Sequence, residues 1–174
     1  GRWDRDIQVD SEGLTVGGRS IGYSSVEQPG GVDWRSKGID VVIDCTGKFK
    51  TETSLQPYFD QGIKKVLVSA PVPEPALNVV YGINHDQYDV DKHRILTAAS
   101  CTTNCLAPVV KVMHEGLGIR HGTMTTIHDI TNTQTIVDNG HRDLRRARAC
   151  GQSLIPTTTG SAKAITSIFP QLKG

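Results

Sequence analysis

Cys101 and His128 are the residues of this chain best suited to covalent chemistry together. Cys101 lies in Ala99-Ser100-Cys101-Thr102-Thr103-Asn104, between an apolar run ending at Ala98 and a helical pattern over 103–117. A thiol at a helix N-terminus is biased toward thiolate, because the dipole and the free amides of the first turn favour negative charge. Such a nucleophile also needs a base, most often histidine. Of the six histidines, His85 and His93 sit in polar loop sequence, His114 falls within a helical pattern, and His121 and His141 flank glycine. His128 closes a strand-like run and is followed by Asp129-Ile130-Thr131, a loop at a strand's carboxyl end, which makes it the best partner. A structural histidine satisfied by its own neighbours is the competing reading.

Threonine supplies the second signal. Twelve of the seventeen threonines fall between Thr97 and Thr159, grouped as Thr102-Thr103, Thr125-Thr126, Thr131/Thr133/Thr135 and Thr157-Thr158-Thr159. Strand propensity accounts for about half of them. Those in loops offer hydroxyls and nearby amides to an anion, and Thr159-Gly160 stands directly before a helical pattern starting at Ser161. A plain helix cap explains the same residues equally well.

Other chemistries are poorly supplied. Cys101 and Cys105 are four apart, but no second Cys or His pair stands at ligand spacing, so no metal site is expected. Four cysteines in 174 residues do not make a disulfide framework, and they fit a reducing cytoplasm. Cys45, at the end of Val41-Val42-Ile43-Asp44, reads as a buried inert thiol. Nineteen basic residues against eighteen acidic ones give no field that would recruit nucleic acid or an anionic membrane. No apolar run approaches the roughly 18 residues of a membrane span. The opening Gly-Arg-Trp-Asp-Arg-Asp has neither an initiator Met nor a signal-peptide core, which suggests a piece of something longer.

The elements that must position these residues can be read from periodicity. Ile7–Val9 and Leu14–Val16 flank Asp10-Ser11-Glu12-Gly13 as a hairpin, and Gly17-Gly18 turns into Arg19-Ser20-Ile21. Asp40–Cys45 reads as a buried strand closed by Thr46-Gly47, and Lys65–Ala70 as another, stopped by Pro71. Between them lies a helix. Pro57 argues that it starts with Ser54 as N-cap, since an earlier start would place the ring against the carbonyl of Thr53. Strand, helix, strand in about thirty residues is a βαβ crossover and implies a parallel sheet. Val79–Ile83, Ile95–Ala98 and Thr123–His128 read as further strands. A helix over Thr103–Leu117 presents Leu106, Val109, Val110, Met113 and Leu117, and Ser161–Phe169 forms a last helix before Pro170.

At this point the motifs become recognisable. Ala99-Ser100-Cys101-Thr102-Thr103-Asn104-Cys105-Leu106-Ala107-Pro108 resembles the active-site signature of glyceraldehyde-3-phosphate dehydrogenases. The resemblance continues through His128-Asp129-Ile130-Thr131-Asn132-Thr133-Gln134, Asp143-Leu144-Arg145-Arg146-Ala147-Arg148-Ala149 and Ile155-Pro156-Thr157-Thr158-Thr159-Gly160-Ser161-Ala162-Lys163, and is weakest before Asp40.

The resemblance implies an α/β fold: an incomplete Rossmann-type parallel sheet followed by the first part of an α+β catalytic domain. Residues 1–100 would be the C-terminal part of an NAD(P)-binding domain and 101–174 the start of the catalytic one. The implied activity is phosphorylating oxidation of an aldehyde phosphate such as glyceraldehyde 3-phosphate, with NAD or NADP, through a thioester on Cys101. His128 would be the base. Ser100, Thr102, Thr159 and Gly160 would contact the attacking inorganic phosphate, and Thr131 the substrate phosphate. Thr46, Gly47 and Ser69 would lie along the cofactor. Arg142–Arg148 would fall in a loop lining a neighbouring subunit's cofactor pocket in a homotetramer, with Arg148 a candidate phosphate contact; a solvated basic face is the alternative.

The family's Gly-x-Gly-x-x-Gly pyrophosphate turn, and the acidic residue that selects NAD, do not occur in the 174 residues. A member shortened at both ends is therefore expected. The His128–Thr135 and Arg145–Gly151 runs also resemble dehydrogenases of arsenate-resistance operons, which use arsenate in place of phosphate. An erythrose-4-phosphate dehydrogenase, a cofactor-free Cys–His hydrolase or acyltransferase, and a non-catalytic module are the other readings.

Overall fold

Four β-branched or apolar runs set up the central sheet. In the computed structural model, which describes residues 3–11, 13–151 and 154–173, these are β4 (Val41–Asp44), β5 (Lys65–Val68), β6 (Leu77–Asn78) and β7 (Ile95–Thr97). All pair in parallel, in the order β4-β5-β7-β6. The α/β class and the Rossmann-type parallel sheet expected from the sequence are therefore present. Before it, β1 (Ile7–Val9), β2 (Leu14–Val16) and β3 (Arg19–Ile21) form a separate antiparallel sheet, as the turn residues predict; Glu12 of the first connection lies outside the described residues.

Helix α1 (Glu52–Asp60) makes the crossover from β4 to β5. It starts earlier than Pro57 suggested, with Thr51 and not Ser54 as N-cap. Thr51 accepts from the Ser54 amide while the Ser54 hydroxyl accepts from the Thr51 amide, a reciprocal box that satisfies two orphan donors. That gain offsets the one helical bond lost at Pro57. Leu55, Tyr58 and Phe59 bury against Val42, Val66 and Val68 of the sheet, with Ile63, Val72, Ala76 and Ile95 closing the cluster. Complete burial of Leu55 contributes about 1.5–3 kcal/mol.

Only one face of this sheet is covered. Val42 and Asp44 of β4 are buried while Val41 and Ile43 are exposed, and Leu67 of β5 faces the same open side. Cys45 is exposed too, correcting the expectation of a buried thiol: a strand buried on both faces would enclose it, and this one alternates.

A second cluster lies under the β7 terminus. Helix α2 (Cys101–Leu117) and α3 (Ser161–Ile168) pack through Ala107, Ile165, Ile168 and Phe169, with Val80 and Ala99 beneath. The packed face of α2 is Thr103, Leu106, Ala107 and Val110. Val109, Met113 and Leu117, expected in the apolar stripe, are exposed, because they lie off the face of α2 that α3 covers.

Two strand expectations fail where the ladder stops, beyond Val79, whose amide still reaches the Thr97 carbonyl (2.9 Å), and over Thr123–His128. The strand expected over Val79–Ile83 is displaced to Leu77–Asn78. The Asn84 side chain takes the Val80 amide (2.7 Å) and donates to the Asn78 carbonyl (3.1 Å), so the chain turns, with Gly82 at φ +83°. Thr123–His128 is not a strand: no described segment pairs with it.

Candidate active site

The site is built on the turn between β7 and α2. Thr97 ends the strand and donates its hydroxyl to Asn78 Oδ1 (2.8 Å) while accepting from the Ala99 amide (2.9 Å). Ala99 has φ +56°, a left-handed conformation that costs a non-glycine residue about 1–2 kcal/mol. Ser100 is the N-cap of α2: its hydroxyl accepts from the Thr103 amide (3.2 Å) and shares a bond with the Thr103 hydroxyl (2.7 Å). Cys101 is thereby the first residue of the helix, exposed at its N-terminus. Asn104, one turn on, donates its amide to the carbonyls of Ala98 (2.7 Å) and Ser100 (3.0 Å).

Opposite the thiol stands His128. Its Nε2 lies 3.4 Å from Cys101 Sγ. Its Nδ1 is 2.8 Å from the Asp129 carbonyl, which can only accept, so Nδ1 carries a proton and Nε2 is the nitrogen left to exchange one with the sulfur. Contact with His128 is the main cause holding the Cys101 thiol below its ordinary pKa, followed by the Thr102 amide and hydroxyl. The imidazole is raised above its ordinary value, first by Cys101 and then by the Asp129 carbonyl. Both shifts favour thiolate beside imidazolium.

The surrounding loops are organised by an arginine that the sequence reading did not single out. Arg146 donates to the Thr133 hydroxyl (3.1 Å) and to the Thr157 hydroxyl (2.8 Å), tying the loop after His128 to the loop before α3. Thr131 is held in a turn, its amide and hydroxyl both donating to Gln134 Oε1. Thr159 accepts from the Ser161 amide (3.3 Å), and Gly160 is the N-cap residue of α3 with no side-chain bond. Arg148 instead pairs with Asp138 (2.9 Å) on the surface. Among the described residues, Thr131, Thr159 and Arg148 make no hydrogen bond to Cys101 or His128. Ser100 spends its hydroxyl on the cap, and of the expected phosphate contacts Thr102 alone reaches the thiol. Half-burial of Arg146 within a run of four arginines leaves no mark in the sequence.

Register brings the expected cofactor loops to the same edge. Asp44 pairs with Val68, and Val68 with Thr97, so the carboxyl ends of three neighbouring strands are level. Thr46-Gly47, Ser69 and the Cys101 turn follow them in a row, with strands about 4.8 Å apart. In open parallel sheets this edge is where ligands bind. The Thr46 loop is shaped by a buried carboxylate: Asp44 accepts from the Thr46 amide (2.9 Å), the Thr46 hydroxyl (2.7 Å) and Tyr58 Oη (3.0 Å). Gly47 has φ +69°, and a Cβ there would meet nothing within 4 Å, leaving open room over the loop. These residues fit part of a dinucleotide; a pyrophosphate turn is not among them.

No group of three or more potential metal ligands occurs among the described residues, and no helix among them is long and apolar enough to cross a membrane.

Comparison with known proteins agrees in both halves. Residues 1–52 match the family model described as glyceraldehyde 3-phosphate dehydrogenase, NAD binding domain, and residues 100–174 the model for the C-terminal domain of the same family. The whole chain aligns with "Glyceraldehyde-3-phosphate dehydrogenase 3" of Nostoc sp. at 58% identity, covering 52% of that protein. It is 47% identical to "Glyceraldehyde-3-phosphate dehydrogenase 2" of Bacillus subtilis, covering 51%, and 45% identical to "Glyceraldehyde-3-phosphate dehydrogenase" of Geobacillus stearothermophilus, covering 52%. The chain thus spans about half the length of the curated relatives it matches. With two domain models of one family matching residues 1–52 and 100–174, and relatives aligned over every residue, the chain belongs to the glyceraldehyde-3-phosphate dehydrogenase family.

Proposed function

We propose that this chain carries the thiol and base of an NAD(P)-dependent, phosphorylating oxidation of glyceraldehyde 3-phosphate. The observation that supports it is the 3.4 Å contact between Cys101 Sγ, on a helix N-terminus, and His128 Nε2.

The Cys101 thiolate attacks the aldehyde carbon, a C–S bond forms as the carbonyl π bond opens, and the oxygen takes the Nε2 proton of the His128 imidazolium to give a thiohemiacetal beside a neutral imidazole. The Cys101 amide, free at the first helical position, donates to that oxygen. A bound nicotinamide dinucleotide supplies the hydride acceptor. His128 Nε2 takes the hydroxyl proton as the carbon is oxidised, leaving a thioester. Inorganic phosphate then attacks the acyl carbon, the C–S bond breaks, the electron pair returns to Cys101, and an acyl phosphate departs.

Thr102, Thr159, Gly160 and Ser100 serve the attacking anion, Thr131 and Arg148 the substrate phosphate, and Thr46, Gly47 and Ser69 the dinucleotide. Residues 1–100 act as part of the cofactor-binding domain and 101–174 as the start of the catalytic one; the C-terminal-domain match beginning at residue 100 supports that division. The relatives' names support glyceraldehyde 3-phosphate as substrate, and a homotetramer is the proposed assembly.

Turnover by the purified chain, followed as reduced nicotinamide with NAD and NADP in parallel and with phosphate or arsenate as acceptor, tests the proposal. Activity abolished by Cys101→Ser is the expected result. Turnover that survives Cys101→Ser overturns it, and so does alkylation of Cys101 no faster than that of Cys150 at neutral pH.

A further inference from the structure

Ala99 is the one non-glycine residue with positive φ among those described, and it stands two positions before the thiol. Left to itself an alanine leaves that conformation, and Ser100 and Cys101 would turn with it. What opposes this is Asn104. Its Nδ2 donates to the carbonyl before Ala99, that of Ala98 (2.7 Å), and to the carbonyl after it, that of Ser100 (3.0 Å). The two acceptors bracket the strained residue, so one side-chain amide closes the turn like a pin. The Ser100 carbonyl also accepts the Asn104 backbone amide (2.9 Å), which locks the pin to the helix it starts. Asparagine carries two donors on one nitrogen, and the geometry uses both; aspartate at neutral pH would offer none.

We infer that Asn104 is a positioning residue for Cys101: by clamping the Ala98 and Ser100 carbonyls it holds Ala99 left-handed and keeps the thiol at the helix start, facing His128. Its side-chain hydrogen bonds go to neither the thiol nor the imidazole, and it acts through the backbone. The inference does not depend on which substrate the site takes, since thiol reactivity reads it directly.

A double-mutant cycle on the purified chain tests it. Iodoacetamide alkylation of Cys101 is followed by fragment-ion mass spectrometry, which separates it from Cys105, from pH 5 to 10. In Asn104→Ala the midpoint of the rate profile moves to higher pH, and the rate at pH 7 falls about fivefold. Glycine adopts positive φ without cost, so Ala99→Gly in the Asn104→Ala background restores the rate to within about twofold. An unchanged profile in Asn104→Ala overturns the inference. So does a double variant no better than the single one, or one that stays unfolded by circular dichroism where the single variant is unfolded, because a pin for Ala99 is dispensable once residue 99 is glycine. Failure of turnover with the aldehyde substrate would leave this result unchanged, which separates the two proposals.

Discussion

Replacing His128 by asparagine removes the proton acceptor while keeping a polar side chain of similar reach. An ordinary thiol is a few per cent thiolate at pH 7, so full ionisation raises the reactive fraction by about thirtyfold at most. Nucleophilicity falls as a thiol becomes more acidic, with a slope near one half, which returns about half of that gain on a logarithmic scale and leaves about fivefold. The Thr102 amide and hydroxyl, which also lower the Cys101 pKa, survive the substitution, so fivefold is the ceiling for His128 alone. The sign follows from the shifts. Cys101 is lowered, so its thiolate persists as pH falls below the ordinary thiol range. His128 is raised, so the imidazolium opposite persists as pH rises above the ordinary histidine range, and the paired window lies between. Iodoacetamide alkylation of His128→Asn is therefore expected to be slowed by about two- to fivefold at pH 7, and hardly at all at pH 10, where every thiol is ionised. Equal slowing at both pH values, or none at either, would refute the electrostatic reasoning.

Two further predictions concern the frame. Leu55→Ala empties a fully buried site between α1 and the sheet and is expected to cost about 2–5 kcal/mol in urea denaturation, with a loss under 1 kcal/mol counting against the packing described. Tyr58→Phe strips the buried Asp44 carboxylate of a donor and should cost about 1.5–3 kcal/mol at pH 7. Burial, first, and then Asp44 push the Tyr58 phenol above its ordinary pKa, so the folded state keeps a proton that the unfolded chain gives up in alkali. Wild-type stability should thus fall as pH rises beyond about 10, and that contribution should be missing from Tyr58→Phe; parallel curves for the two proteins would contradict it.

The parallel sheet was legible because β4 and β5 are β-branched runs bounded by turn residues, a signal carried locally. Cys101 was legible because a strand end and a helix start meet within a few residues. What escaped depends on partners distant in the chain. Thr123–His128 has the residues of a strand but pairs with nothing described, and alternation alone cannot supply a ladder. The outward face of β4 looked buried because Val41 and Ile43 are apolar, yet hydrophobicity does not say which side is covered. Pro57 misled through a local rule that the Thr51–Ser54 capping box, just ahead of it in the first turn, outweighed. Arg146 and Asn104 were invisible as organisers, since their roles lie in which carbonyls and hydroxyls they reach.

The missing ladder around His128 has a kinetic consequence. Cys101 is fixed to a capped helix, whereas His128 hangs between Ile119, whose amide donates to His114 Nδ1 (3.1 Å), and Thr133, held by Arg146 (3.1 Å). The imidazole is in effect a tethered ligand for the thiol, and its effective concentration is set by the stretch between those anchors. Any contact that stiffens residues 119–130 raises the closed fraction and, with it, the reactivity of a cysteine it never touches.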